Sequence, residues 1–188
     1  YEIDLIRRKG ISFVFNSNVG KDIPIEKLRE EYEAVFIGIG TQKSTPIQIK
    51  GEGLDGILEG LEFLRNASSE DAPALKGRVI IVGGGDVAMD AASSAIRLGA
   101  EDVGIVYRRS ETELPAIKEE IDHAVEEGVN FQFLTNPVEF IDDGNGILSK
   151  VRCIKMELGE PDESGRRRPV RIEGSEVESG ADTVILAM

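Results

Sequence analysis

This 188-residue chain predicts an α/β fold, a parallel sheet carrying an antiparallel β excursion, on three observations. Short β-branched runs alternate with amphipathic helical stretches along the whole chain. One of those runs, 78–82, ends in three glycines and opens directly into a small-residue helix. Between 138 and 177, alternating segments are joined by Gly and Pro turns before one last apolar strand.

The apolar share, 40% of residues, is enough for one large core or two small ones. Lys plus Arg number 22 against 35 Asp plus Glu, so the formal net charge of −13 repels nucleic acid and anionic lipid unless one face is locally basic. No apolar run approaches the ~20 residues needed to span a bilayer, and no signal-peptide pattern is present. The chain therefore reads as soluble and cytoplasmic, without a membrane or nucleic-acid partner. Its single cysteine, Cys153, cannot form an internal disulfide, a Cys-x-x-Cys redox pair, an iron–sulfur cluster or a cysteine zinc site. Alternating apolar neighbours predict that its thiol is buried.

Glu2 to Lys9 reads as a helix already under way and stopped by Gly10, and Met188 directly follows an apolar strand, so both ends read as cut. Ile11 to Phe15 is a short β-rich run, Pro24 opens a helix through Glu31, and Ala34 to Gly40 reads as a buried strand. A loop rich in Thr, Ser, Pro and Gly spans 41–56, and an amphipathic helix follows with Ile57, Leu58, Leu61, Phe63 and Leu64. Asn66 to Gly77 holds little to bury, the composition of a linker, and divides the chain into domains 1–72 and 73–188.

Beyond it, Val79–Val82, Asp86–Leu98 and Val103–Tyr107 have the lengths of two parallel strands joined by a right-handed helical crossover. A second helix carries Pro115 near its first turn, Ile117, Ile121, Ala124 and Val125 on its apolar face, and Gly128 at its end. Phe131, Phe133 and Leu134 make another strand. Segments 138–141, 147–158 and 170–177 form the antiparallel excursion, with turns at 144–146 and 161–165, and Ala181 to Ala187 returns to the parallel sheet.

Gly83-x-Gly85-x-x-Ala88 fits the dinucleotide fingerprint in its Ala variant, the mark of a Rossmann-like unit. The first glycine permits the tight turn, the second lets backbone approach phosphate oxygens, and the small third residue lets helix pack on strand. Affinity would come from unpaired N–H groups at Gly84, Gly85, Asp86 and Val87, together with the positive end of the helix dipole. A carboxylate beside a pyrophosphate is unfavourable, so Asp86 is expected to turn away, capping its own helix or meeting a second element. The next strand ends in Tyr107–Arg108–Arg109–Ser110, where an NAD site would place an acid for the ribose hydroxyls. Two guanidiniums can instead grip a 2′-phosphate with forked, charge-assisted bonds, which points to NADP(H). Glu111 and Glu113 are close enough in sequence to pair with these arginines in the empty protein.

The runs Gly83–Gly84–Gly85–Asp86–Val87–Ala88–Met89–Asp90, Leu98–Gly99–Ala100, Tyr107–Arg108–Arg109, Leu114–Pro115–Ala116 and Glu119–Glu120 to Phe131 resemble the NADPH-binding region of the glutamate synthase small subunit and its relatives. Those relatives include the flavoprotein parts of dihydropyrimidine dehydrogenase and of electron-bifurcating transhydrogenases, and the resemblance covers essentially the whole chain. It implies an FAD domain interrupted in sequence by an NAD(P)H domain. On that pattern 1–72 is a partial FAD-type α/β domain, with Gly38, Gly40 and Thr41 as FAD contacts, and 73–188 is the NADPH domain, with Ala187 near the nicotinamide. The family's first FAD fingerprint would lie before Tyr1, its second FAD region after Met188 and its cluster cysteines in an N-terminal extension, so the chain resembles an excised middle piece.

The resemblance further implies hydride transfer from nicotinamide C4 to flavin N5 in the intact enzyme, with no catalytic acid or base in this piece. Its partners would be the rest of the FAD domain and a larger electron-accepting subunit. A half FAD domain leaves sheet edges uncovered, which predicts association with another copy or local disorder. His123, with no second histidine, reads as solvated rather than as a metal ligand, and Arg166–Arg167–Arg168 reads as a solvated hairpin tip. Two rivals stand beside this reading: a non-catalytic nucleotide-sensing or interaction module, and a thioredoxin-reductase-like enzyme, which needs a dithiol that Cys153 alone cannot supply.

Overall fold

The structure, a computed structural model, describes residues 2–40, 47–69, 72–163 and 165–188. Packing divides the chain into two compact units, Tyr1–Gly40 and Thr41–Met188.

In the first unit, α1 (Glu2–Arg8) has acids in its first turn and arginines in its last, as the helix dipole favours, and stops before Gly10 at φ 83°. The second helix, α2 (Ile25–Glu31), starts after Pro24, whose ring already holds φ at −59°. Residues 11–15 and 34–40, expected as strands, are not strands: no β ladder is formed by either run among the described residues, and Phe36 stands 95% exposed. A strand forms only against a neighbour that takes its N–H and C=O groups, and the described residues of this unit contain no sheet for either run to join.

The second unit runs β1 (Ile57–Glu59), α3 (Gly60–Ala67), β2 (Arg78–Val82), α4 (Asp86–Arg97), β3 (Asp102–Val106), a 3-10 turn (Glu111–Glu113), α5 (Lys118–Glu126), β4 (Asn130–Gln132), β5 (Thr135–Asp142), β6 (Leu148–Pro161), β7 (Arg167–Arg171), β8 (Val177–Gly180) and β9 (Thr183–Leu186). A parallel sheet takes the order β1-β9-β2-β3-β4, so the chain returns after its excursion to insert β9 between β1 and β2. The excursion is an antiparallel sheet centred on β6, paired with β5, β7 and β8.

Side-chain alternation along the parallel strands sorts two cores onto two faces. Val79, Ile81, Val103, Ile105 and Ile185 face the helices, meeting Phe63 of α3, the alanines 88, 91, 92 and 95 of α4, and Ala124 of α5. Ile80, Val82, Val106, Val184 and Leu186 face the excursion, meeting Phe140, Leu148, Val151 and Cys153. The four fully buried alanines let α4 lie close on the sheet. Gly99 and Gly128, at φ 100° and 93°, end α4 and α5 as the sequence predicts, with Ala100 and Val129 N–H groups turned back to Ala95 and Ala124.

Three local expectations are corrected. Ile57 and Leu58 are strand rather than helix, because β9 presents an edge on which they pair with Val184 and Ile185. The stretch read as linker is anchored at its end: Leu75 is buried in the helix-side core, and the Gly77 carbonyl accepts from Glu101 and Asp102 N–H groups. The helix expected from Pro115 begins only at Lys118. Leu114, preceding proline, is held extended at ψ 125°, and the Ala116 N–H is taken by the Gly84 carbonyl at 3.3 Å. Ile117 and Val125, placed on that helix's apolar face, are 55% and 56% exposed. Among the described residues, no helix is long and apolar enough to cross a membrane.

Ile185 is fully buried on the central returning strand. Ile185→Ala is expected to cost about 2–5 kcal/mol in urea unfolding. A cost below about 1 kcal/mol would mean that β9 is not a core strand of this sheet.

Candidate functional site

The site begins where β2 runs out. The Gly83 N–H still belongs to the sheet, donating to the Val106 carbonyl at 3.2 Å, but its φ is 149° and a Cβ there would lie 2.2 Å from the Ala187 carbonyl oxygen. A Cβ on Gly84 would fall 2.6 Å from the Tyr107 ring and 2.8 Å from Leu114. The protein itself therefore demands glycine at both positions. Gly85 differs, with extended backbone (φ −91°, ψ −179°) and nothing nearer to its Cβ position than Pro115 at 4.0 Å.

That open space is the mouth of a cavity of about 560 Å³. Gly83, Gly84, Gly85, Asp86 and Val87 line it, with Arg108 and Arg109 beyond the end of β3 and Ala187 just beyond β9. Eight of the nine dinucleotide-site residues read from the sequence are thus brought together. The ninth, Ala88, is fully buried in the helix-side core and serves the packing of α4. Ala88 and Met89 N–H groups donate to the Gly85 carbonyl at 2.8 and 3.3 Å. The N–H groups of Asp86 and Val87 come before the first intrahelical donor, Ala88, the position from which helix N-termini bind anions.

Asp86 turns to a second element, its carboxylate accepting the Ile117 N–H at 3.1 Å just ahead of α5. Its negative charge is thereby tied to an orphan donor of another helix. Arg108 is exposed, whereas the Arg109 side chain is 6% exposed and held by Asp162 at 2.8 Å. Arg109 Nε also donates to the Arg167 carbonyl at 2.8 Å. Glu113, a candidate partner for the arginines, is engaged with Ser110 in a capping box; the Ser110 hydroxyl, then its backbone N–H, keep the carboxyl below the ordinary range. Tyr107 closes the same turn, donating its hydroxyl to the Glu113 carbonyl at 2.7 Å.

A further lining residue comes from the basic hairpin. Arg166, taken for a solvated tip, is exposed but lines this cavity from the hairpin joining β6 and β7. Its basic run was visible, but its approach to Arg108, more than fifty residues away, depends on how the excursion folds back. Gly38 and Gly40 lie on exposed chain in the first unit, and Thr41 lies outside the described residues. His123 is about half exposed, 3.8 Å from Glu127 on its own helix, and no metal-binding cluster occurs among the described residues. Cys153 is buried, and burial pushes its thiol up to about 11.

Comparison with known proteins gives the family. The family described as pyridine nucleotide-disulphide oxidoreductase matches residues 4–187. The chain is 42% identical over 190 residues to the NADP(+)-dependent formate dehydrogenase subunit beta of Moorella thermoacetica, covering all of this chain and 27% of that protein. It is 42% identical to the NADPH-Fe(3+) oxidoreductase subunit beta of Geobacter sulfurreducens, covering 100% of this chain and 28% of that protein. Against the glutamate synthase [NADPH] small chain of Escherichia coli it is 39% identical, covering 95% of this chain and 40% of the relative. The chain thus spans well under half the length of these relatives. Among solved structures, Mycobacterium tuberculosis FprA in complex with NADPH superposes with a TM-score of 0.77 at 21% identity, over 92% of this chain and 53% of that one, a likeness of fold.

A thiol titrating near 11 is ionised to about one part in a thousand at pH 8. Iodoacetamide is therefore expected to alkylate Cys153 in the folded protein at pH 8 at least about a hundredfold more slowly than in urea, the gap closing as pH approaches 11. Equal rates in the two states would show the thiol to be accessible and ionisable.

Proposed function

The chain belongs to the pyridine nucleotide-disulphide oxidoreductase family, and from that premise we propose that it is the NADPH-binding portion of a flavin-dependent oxidoreductase resembling the glutamate synthase small subunit. The observation that carries the reading is the Gly85 opening: a helix N-terminus lining a cavity, with nothing nearer to the glycine Cβ position than Pro115 at 4.0 Å. Residues 73–188 are the NADPH domain on this reading, and 1–72 a partial FAD-type segment.

The described residues fit a dinucleotide. Backbone amides from Gly84 to Val87 supply donors for the pyrophosphate, and the Asp86 carboxylate is engaged with the Ile117 N–H of a second element. Arg108 and Arg109 put positive charge where the adenosine ribose would lie, beyond the end of β3. Ala187, whose N–H is held by the Val82 carbonyl at 2.9 Å, lines the same cavity and would offer a small surface to the nicotinamide end. When bound, NADPH supplies a hydride at nicotinamide C4. This chain contributes binding and orientation, with no side chain required as acid or base.

The hydride acceptor on this reading is FAD, but the residues available here do not build a cradle for it. Gly38 and Gly40 lie on exposed chain, without a strand among the described residues of the first unit to support them. The assignment for this chain's own residues therefore stops at NADP(H). The intact enzyme would add the remaining FAD domain and an electron-accepting subunit, a reading supported by relatives named as subunits or small chains.

Gly85→Val tests the reading without threatening the fold, since its backbone is extended and its Cβ meets nothing within ordinary contact. By calorimetry, the unaltered chain is expected to bind NADPH more tightly than NADH. The variant should lose at least about tenfold in affinity for both, with a thermal midpoint within a few degrees of the parent. Undiminished affinity in the variant, or no binding to the parent, would contradict the assignment.

A further inference from the structure

We propose that the two arginines after β3 have different tasks, and that the hairpin joining β6 and β7 completes the 2′-phosphate site: Arg108 and Arg166 hold the phosphate, and Arg109 is the post on which the hairpin is mounted. This rests on the NADP(H) reading and names the specificity-determining residues of that same site.

Arg109 is nearly buried, and two of its donors point into the hairpin, Nε to the Arg167 carbonyl and Nη2 to the Asp162 carboxylate, both at 2.8 Å. Turning that guanidinium onto a ligand would break both contacts, one of them to a carboxylate that is itself only 25% exposed. Asp162 has a second task. Its N–H donates to the Arg166 carbonyl at 2.8 Å, and its carbonyl accepts the Gly165 N–H at 2.9 Å, so the residue that grips Arg109 also closes the turn carrying Arg166. The Arg109–Asp162 pair therefore fixes where the Arg166 backbone sits relative to the end of β3.

Arg108 and Arg166 are both exposed and both line the cavity. In a chain of net charge −13, three arginines converge on the glycine-lined cavity. Their chemistry suits a phosphomonoester dianion, which guanidinium groups bind through paired charge-assisted hydrogen bonds. A 2′-phosphate brings the dianion that guanidinium groups bind and an unphosphorylated ribose does not, so discrimination between the two dinucleotides is assigned to these side chains.

The test is calorimetric titration of the unaltered chain, Arg166→Ala, Arg108→Ala and Asp162→Asn with NADP+ and with NAD+ at fixed salt. Arg166→Ala and Arg108→Ala are each expected to weaken NADP+ binding about tenfold while leaving NAD+ within about twofold. Asp162→Asn should lower the NADP+/NAD+ affinity ratio in the same direction, whereas a merely structural defect would weaken both ligands alike. Arg166 sits on an exposed tip, so its variant keeps the test decisive even if Asp162→Asn fails to fold. Preference for NADP+ in the parent with no loss in Arg166→Ala would overturn this inference alone. Absence of dinucleotide binding in the parent would remove the reading beneath it.

Discussion

The site depends on one packing constraint: the chain leaving β2 must pass between the end of β9 and the ring of Tyr107. Ala187 presses on Gly83 from one side, while Tyr107 and Leu114 press on Gly84 from another, so neither position has room for a side chain. The chain emerges at Gly85 already extended, and α4 starts with its first-turn amides facing a cavity rather than a neighbouring element. The alanines of α4 suit the same constraint, because a helix launched so close to the sheet buries mostly small side chains against it, with Met89 as the large exception.

The return of β9 joins this corner to the rest of the second unit. Because β9 pairs with both β1 and β2, the antiparallel excursion must leave after β4 and come back to the middle of the parallel sheet. One face of that sheet is thereby covered by the excursion, and the hairpin between β6 and β7 reaches the mouth of the cavity. The Arg109–Asp162 pair links the end of a parallel strand to that hairpin, tying cavity shape to the placement of an element distant in sequence.

What could be read from the sequence follows from the range of the interactions. The β2–α4–β3 unit and its glycine turn were legible because strand, turn and helix signals are contiguous there, and Asp86 meets a second element as its unfavourable place beside a phosphate requires. Residues 34–40 look like a buried strand by composition, yet composition does not supply the neighbour a strand needs. Ile57 and Leu58 carry a helical spacing that the edge of β9 overrides. The place of Arg166 beside the cavity was not legible for a related reason. A basic tip in an acidic chain is ordinarily solvated, and only the fold-back of the excursion puts this one against the cavity. Arg108 and Arg109 are adjacent in sequence, but burial separates them.

On this reading, backbone amides at the start of α4 are the anion-binding surface. Amide chemical-shift mapping of the isotope-labelled chain during titration with NADP+ tests it most directly. The largest shifts are expected on Gly84, Gly85, Asp86 and Val87, with Arg108 and the 165–167 tip following at the same ligand concentration. Shifts that leave 84–87 unmoved while the chain binds the dinucleotide elsewhere would contradict it.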